Sequence, residues 1–383
     1  MKRWIGWLLA VGILVGLLPF SVGAVDMKIE AKSALLMDVA TGTVLYEQDA
    51  HTPLAPASVT KVMTMLLIME AIDSGKIHWE DNVTASEAAA AKGGSQIYLK
   101  VGETLSVADM VKSIAVSSAN DCACAMAEHI AGSEEAFVSQ MNSRAKELGM
   151  KDTNFVNCTG LDYYDAAKTH LTSAYYIALM SRQLIKYHPD ITKYTTIWMD
   201  TVRNGEFGLS NTNKMVRFYQ GCTGLKTGFT STAGYCLSAS AKRDGLELIA
   251  VVMGCENSQK RFAACKSMLD YGFANFSLIE PAVPEAGQIP VVLGKTDTVR
   301  AIAGESSPLL IDKAQRNEVG MQIQLEESVH APVVKGQRLG TMTVTVGDQI
   351  LAQIPMVAET AVPRLSYWDI FLDLFRSVTM AKR

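Results

Sequence analysis

No block of like charge runs through this sequence: 35 basic and 39 acidic side chains are spread along 383 residues and leave a net charge of -4. A chain so balanced lacks the basic footprint of a nucleic-acid binder, so no nucleic-acid partner is expected. Cysteine is present but poorly arranged for metal. Cys122, Cys124, Cys158, Cys222, Cys236, Cys255 and Cys265 include no Cys-x-x-Cys pair and no histidine at zinc spacing. Their odd number leaves at least one outside any intramolecular disulfide, and they read mainly as small buried apolar residues. No metal and no cofactor is expected, and no internal repeat or low-complexity tract is evident. Also missing is an apolar run of the ~20 residues that a bilayer span requires. The longest, Trp4 to Leu18, follows Lys2-Arg3 and precedes Pro19 and Val22-Gly23-Ala24. That is the layout of a signal peptide, residues 1–24, with export of the remainder.

What is there divides into helical and β-rich stretches. Ser33 to Asp38 and Thr43 to Glu47, joined by Ala40-Thr41-Gly42, predict a β-hairpin. From Ser58 to about Ile72, Val59, Val62, Met63, Leu66, Leu67 and Met69 recur at helical spacing until Ser74-Gly75 stops them. Helices are further predicted over 106–115, 121–131, 134–148 and 172–187. Beyond residue 220, Tyr235 to Ala241 and Leu246 to Gly254 flank the turn Arg243-Asp244-Gly245, and a helix over 258–275 follows. After Pro281, Pro284 and Gly287 short β-rich runs alternate with turn residues as far as Pro363, which predicts a small all-β domain. The end, Arg364 to Arg383, sets Leu365, Trp368, Phe371, Leu372 and Phe375 on one helical face. Such a basic, aromatic, amphipathic helix fits the headgroup region of an anionic membrane, or a docking face on its own β domain or a partner.

Three short motifs carry chemistry. In Ser58-Val59-Thr60-Lys61, a spacing of three on a helix brings the lysine amine toward the serine hydroxyl. The hydroxyl needs a base, and burial or a helix dipole disfavours the ammonium form and so supplies a neutral amine. Alone, the same four residues are equally a capped helix start with a solvated lysine. Ser118-Ala119-Asn120 sits between two predicted helices, where Ser118 can relay a proton and the Asn120 amide can hold a substrate carbonyl; alone it is also a helix cap. Lys226-Thr227-Gly228 lies in a strand, with Lys226 and Thr227 suited to a peptide carboxylate and Gly228 to close approach of a substrate backbone; alone it is also a turn.

Taken in order and setting, the three resemble the motifs of the penicillin-recognising serine enzymes. Within them the chain is similar to the low-molecular-mass penicillin-binding proteins, serine D-Ala-D-Ala carboxypeptidases. The likeness rests on Pro56-Ala57-Ser58-Val59-Thr60-Lys61, Ser118-Ala119-Asn120-Asp121, Asn157-Cys158-Thr159-Gly160-Leu161-Asp162, and Gly224 to Thr230 continuing to Ala233-Gly234-Tyr235. It implies an α+β fold: a β-lactamase/transpeptidase-like catalytic domain over 25–278, an antiparallel sheet with helices, then an all-β domain over 279–363 and an amphipathic, membrane-associating helix over 364–383. It implies removal of the terminal D-Ala from peptidoglycan stem peptides through an acyl-enzyme on Ser58, with β-lactams as covalent inhibitors. Lys61 would be the proton acceptor, Ser118 the relay, Asn120 the positioning amide, and Lys226 with Thr227 the carboxylate site. The backbone N–H groups of Ser58 and Phe229 would form the oxyanion hole, and Arg261 resembles a family arginine near the same carboxylate, though a surface salt bridge accounts for it equally. Many relatives carry an acid where this chain has Thr223.

Alternatives are narrowed by absences. A class A β-lactamase requires a deacylating glutamate after the second motif, and Leu148 to Asp165 contains none. A silent binding module predicts loss of Ser58, Lys61 or Lys226, and all are present. Endopeptidase or transpeptidase chemistry remains open at this level, since it depends on the acceptor that the cleft admits.

Overall fold

A computed structural model describes residues 27–162, 168–281 and 287–380. The expected signal peptide lies outside them. The chain forms two compact units, Met27–Ile279 with Leu310–Lys313, and Glu280–Leu309 with the chain from Ala314.

The first unit is built on a sheet that opens with strands β1 (Ser33–Asp38) and β2 (Val44–Gln48). A tight 3-10 turn, Ala57–Thr60, then leads into helix α1 (Lys61–Asp73). Ser58 therefore stands in that turn, one residue pair ahead of the α-helix that sequence periodicity places around it. Helix α1 is buried on nearly every side, from Lys61 and Val62 to Met69 and Ala71, as its lack of a polar face requires. Around it stand β3 (Asn82–Thr84), α2 (Glu87–Ala90), β4 (Thr104–Ser106), α3 (Val107–Ser117), α4 (Asn120–Ala131) and α5 (Glu134–Glu147). Ser106 caps α3 by accepting from Asp109 N–H at 3.1 Å, and Ser133 caps α5 by accepting from Ala136 N–H at 3.1 Å. Helices α6 (Ala174–Tyr187) and α7 (Thr192–Thr195) follow, then the hairpin β5 (Met199–Val202) and β6 (Phe207–Ser210), and helix α8 (Met215–Phe218).

The chain then returns to the sheet as β7 (Cys222–Thr230), β8 (Gly234–Arg243) and β9 (Leu246–Cys255), giving the antiparallel order β2-β1-β9-β8-β7. Strand β7 is one of its two edge strands, opposite β2. Alternation explains why β1 and β9 are apolar on both faces. Leu35, Met37, Ile249, Val251 and Met253 join the core shared with the helices, whereas Leu36 and Leu248 meet helix α9 (Ser258–Asn275), where a side chain at Gly272 would strike both. Asn257 starts α9 by accepting from Lys260 N–H at 2.9 Å. Strand β10 (Phe276–Ile279) ends the continuous part of this unit.

The second unit contains β11 (Gln288–Val292) and β12 (Thr298–Ala303); the next strand, β13 (Leu309–Asp312), pairs with β10, and Leu310–Lys313 counts with the first unit. Then come β14 (Val319–Leu325), β15 (Val329–His330), β16 (Arg338–Val346) and β17 (Gln349–Ala358), in a six-stranded sheet of order β14-β16-β17-β12-β11-β15. Val299, Ala301, Met342, Val344, Ile354 and Met356 are among its buried residues. Helix α10 (Tyr367–Met380) begins where Ser366 Oγ accepts from Asp369 N–H and Asp369 Oδ2 accepts from Ser366 N–H at 2.8 Å, a reciprocal cap. Tyr367, Trp368, Phe371, Leu374 and Phe375 are exposed along it, with Trp368 and Phe371 stacked at 5.4 Å. No helix of the described residues is long and apolar enough to cross a membrane.

Candidate active site

The nucleophile turn is shaped by its neighbours. Ala57 is held at φ 48°, a sparsely populated conformation for alanine, directly before Ser58. Across from it lies Gly160 at φ 79°, where a Cβ would sit 1.8 Å from the Ala57 carbonyl oxygen, so only glycine fits. Asn157 builds this second loop: its Oδ1 accepts from Gly160 N–H at 2.7 Å and Thr159 N–H at 3.1 Å, while its Nδ2 donates to the Leu161 carbonyl at 2.8 Å. Thr64 Oγ1 donates to the Cys158 carbonyl at 2.6 Å, and Glu134 Oε1 accepts from both Cys158 N–H and its thiol, each at 3.2 Å. The other Glu134 oxygen pairs with Lys92.

That loop presents the Thr159 carbonyl to Lys61. The lysine is 0 % exposed, and its Nζ donates to the Thr159 carbonyl at 2.9 Å and to Ser58 Oγ at 3.1 Å. Burial pulls its pKa down from 10.5 to about 7, against the opposing pull of Cys158 and the buried Asp121 carboxylate. A large fraction of such amines is neutral at physiological pH, which is what a serine-activating base requires.

Ser118 ends α3 in the left-handed region, φ 63°, and is buried ahead of α4. Asn120 opens α4: its Nδ2 donates to the Gly93 carbonyl and its N–H to the Ser95 carbonyl, both at 2.7 Å. Asn120 Oδ1 is buried without a partner. Asp121, next along, accepts from Ile97 N–H at 3.1 Å, Leu99 N–H at 3.0 Å and Cys122 N–H at 2.9 Å. The segment 93–99 is thus fastened to the second motif.

Strand β7 brings in the third. At Gly228 a Cβ would lie 2.7 Å from the Pro56 carbonyl oxygen and 3.1 Å from Ser58 N, so this glycine lets β7 approach the protein's own nucleophile turn, where the sequence suggests room for a substrate backbone. The contact sets the Ser58 amide beside the strand that carries Phe229, whose ring is exposed and tilted on Tyr235 at 4.3 Å. Lys226 is 1 % exposed and donates to the Thr227 carbonyl at 2.9 Å; burial first, then the nearby cations Lys61 and Arg261, hold its pKa far below the usual lysine range. Thr227 Oγ1 donates to Thr212 Oγ1 at 2.7 Å. Arg261 is buried rather than engaged in a surface salt bridge: its Nη1 donates to the Gly228 carbonyl at 3.0 Å and its Nε has no partner.

Several contributors escape sequence reasoning. Thr212 N–H donates to the Val116 carbonyl at 3.1 Å, and Asn213 Nδ2 to the Gly224 carbonyl at 2.9 Å, so residues 211–213 join β7 to α3. His170 accepts from Val156 N–H at 3.1 Å through Nδ1, which places its proton on Nε2, 2.8 Å from Thr60 Oγ1. Burial lowers its pKa to about 4, so it stays neutral. At Thr223 the missing acid is replaced in space: its hydroxyl lies 2.7 Å from Ser240 Oγ and 3.1 Å from Glu247 Oε1 of β9. All seven cysteines are free, and among the described residues no cluster of three or more His, Cys, Asp or Glu side chains is placed to hold a metal ion.

Comparison with known proteins places this geometry. Residues 20–257 match the family model described as D-alanyl-D-alanine carboxypeptidase, and residues 281–364 match that of the penicillin-binding protein 5 C-terminal domain. The chain is 42 % identical over 371 residues to D-alanyl-D-alanine carboxypeptidase DacF of Bacillus subtilis, covering 94 % of each. It superposes on penicillin-binding protein 5 of Haemophilus influenzae with a TM-score of 0.75 at 30 % identity, over 89 % of this chain and all of that one. Penicillin-binding protein D2 of Listeria monocytogenes, solved in an ampicillin-bound form, matches 65 % of this chain and all of its own at 32 % identity and a TM-score of 0.57. A buried lysine on a serine in a strained turn, closed by a glycine-bearing strand, thus stands in a chain that belongs to the D-alanyl-D-alanine carboxypeptidase family.

Proposed function

We propose that the chain is exported and removes the terminal D-Ala from peptidoglycan stem peptides through an ester on Ser58. The observation that carries this reading is the 3.1 Å contact between Lys61 Nζ and Ser58 Oγ, made by a lysine whose pKa is brought down to about 7. Neutral Lys61 takes the Ser58 proton as Oγ attacks the carbonyl between the two D-alanines. The Ser58 and Phe229 N–H groups receive the developing oxyanion, an interaction worth about 3 to 4 kcal/mol per donor in such sites. Collapse expels D-Ala, whose amine takes the proton from Lys61 by way of Ser118, and water completes the turnover. Asn120, with a buried unpartnered Oδ1 and a remaining Nδ2 hydrogen, is suited to a backbone N–H and carbonyl of the donor peptide. Lys226 and Arg261, whose charged forms are disfavoured first by burial, suit with Thr227 the terminal carboxylate, whose negative charge favours those forms again. β-Lactams, whose amide mimics the attacked bond, are expected to stop at the Ser58 ester.

A diacyl-tripeptide ending in D-Ala-D-Ala is expected to yield free D-Ala, and benzylpenicillin to add its mass to the proteolytic fragment containing Ser58. Absence of D-Ala release rejects the carboxypeptidase reading, and an adduct on another fragment rejects the nucleophile.

The exposed aromatic row of α10, with the exposed Arg364 ahead of it and Arg376 on it, supports peripheral attachment to an anionic membrane. Chain ending at Pro363 is expected to lose flotation with anionic vesicles that the chain from Val25 retains; equal flotation of both rejects this role.

A further inference from the structure

Tyr98 is both strained and exposed. Its φ of 60° is unusual for an aromatic residue, yet its ring is 68 % exposed, so no core contact accounts for the conformation. The backbone is clamped from both sides. Asp121 holds the amides of Ile97 and Leu99, whose side chains are buried beneath, and Arg203 donates to the Ile97 carbonyl at 2.8 Å and the Tyr98 carbonyl at 3.3 Å. Arg203 is itself fixed by Glu103 at 2.6 Å and lies 5.2 Å from the Phe207 ring centre. Tyr98 meets that ring edge-on at 6.4 Å. The result is a rigid aromatic ledge with its charges internally paired.

The ledge is tied to the second motif. The same segment supplies Gly93 and Ser95 to Asn120, and Asp121, which sets Tyr98, is the next residue. Tyr98 therefore lies within one carboxylate's reach of the residue that follows Asn120, the amide assigned to the donor peptide. We propose that Tyr98, with Phe207 beside it, is a specificity-determining residue that receives the aliphatic side chain of the residue preceding the two D-alanines. The inference rests on the acyl-donor reading of the cleft. An uncharged aromatic surface fits methylenes, and the immobile backbone means that little ordering is required on binding.

The test compares hydrolysis of N-acetyl-(N-ε-acetyl-lysyl)-D-Ala-D-Ala and N-acetyl-glycyl-D-Ala-D-Ala by the wild-type chain, Tyr98→Ala and Tyr98→Phe, alongside the rate of acylation by benzylpenicillin. Wild type and Tyr98→Phe are expected to favour the lysyl peptide in kcat/KM. Tyr98→Ala is expected to lose about tenfold on the lysyl peptide, with less than a twofold change on the glycyl peptide and on penicillin acylation. Equal loss on all three, no loss on the lysyl peptide, or a wild type indifferent to the two peptides overturns the assignment while leaving the carboxypeptidase reading intact. Failure of wild type to release D-Ala from either peptide overturns that reading instead, and the ledge with it.

Discussion

Ser58→Ala is expected to lose D-Ala release by on the order of 10⁴-fold or more, together with all covalent capture of benzylpenicillin. Among the described residues, Lys61 Nζ donates to this hydroxyl and to the Thr159 carbonyl of the facing loop. What remains, the oxyanion donors and the cations around Lys226, can bind substrate but offers no atom to form the ester. Folding should be nearly unaffected. Ser58 is half-buried, and the change deletes one hydrogen bond, a matter of about 1 kcal/mol. Release within tenfold of wild type, or capture of penicillin at Ser118, would reject Ser58 as the nucleophile. Noncovalent penicillin binding should persist, so the variant is expected to separate recognition from chemistry in a competition assay.

Lys61→Met is the second large effect, an expected loss of about 10² to 10⁴ in the acylation rate. Methionine keeps the length of the side chain but takes no proton. In the wild type the acylation rate is expected to rise with pH through about 7, because burial lowers the lysine pKa to that value and only the neutral amine acts. The variant should lose this limb altogether. Stability should move the other way. With a folded pKa near 7 and an ordinary value of 10.5, the unfolded chain holds the proton more firmly between those two values. Burial of the lysine therefore weakens the wild-type fold at neutral pH and below, and stability rises as pH climbs through that window. Methionine removes this burden, which is on the order of 5 kcal/mol at most, less the bond lost by the Thr159 carbonyl. A higher melting temperature with collapsed acylation is the expected signature. A flat wild-type profile between pH 6 and 8, or Lys61→Met acylation within tenfold of wild type, would remove Lys61 from the role of base.

Much of the fold is legible because it is local. The apolar run of β1, and the turn Arg243-Asp244-Gly245 between β8 and β9, carry their structure in adjacent residues, and α9 spans the predicted 258–275. The three motifs are legible for the same reason. Other features depend on partners far along the chain. Ser58 sits in a 3-10 turn ahead of α1 because Gly160 and Gly228 press on it from two sides, and neither contact has a sequence period. The Thr159 carbonyl has no side-chain signal at all; only the turn-forming Asn157 and Gly160 mark its loop. Strand β13 is an apolar run inside a β-rich stretch, and nothing in it says that it pairs with β10. Arg261 in Lys260-Arg261-Phe262 reads equally as a surface charge and as an arginine near the carboxylate site, and the partner that buries it against β7 is a backbone carbonyl, which has no side-chain signal.

The Cys158 thiol, wedged behind the Thr159 carbonyl against Glu134, is fully buried, and hydrogen bonding with Cys124, burial and the Glu134 charge push its pKa up. An alkylating reagent needs a thiolate and a path to it, and the closed loop withholds both. Modification at Cys158 therefore proceeds only through moments when the loop lifts from helix α1 and releases Lys61. Its rate is a clock for opening of the catalytic base, read in the intact enzyme without an engineered label, and an occupied acyl site slows that clock if the ester steadies the loop.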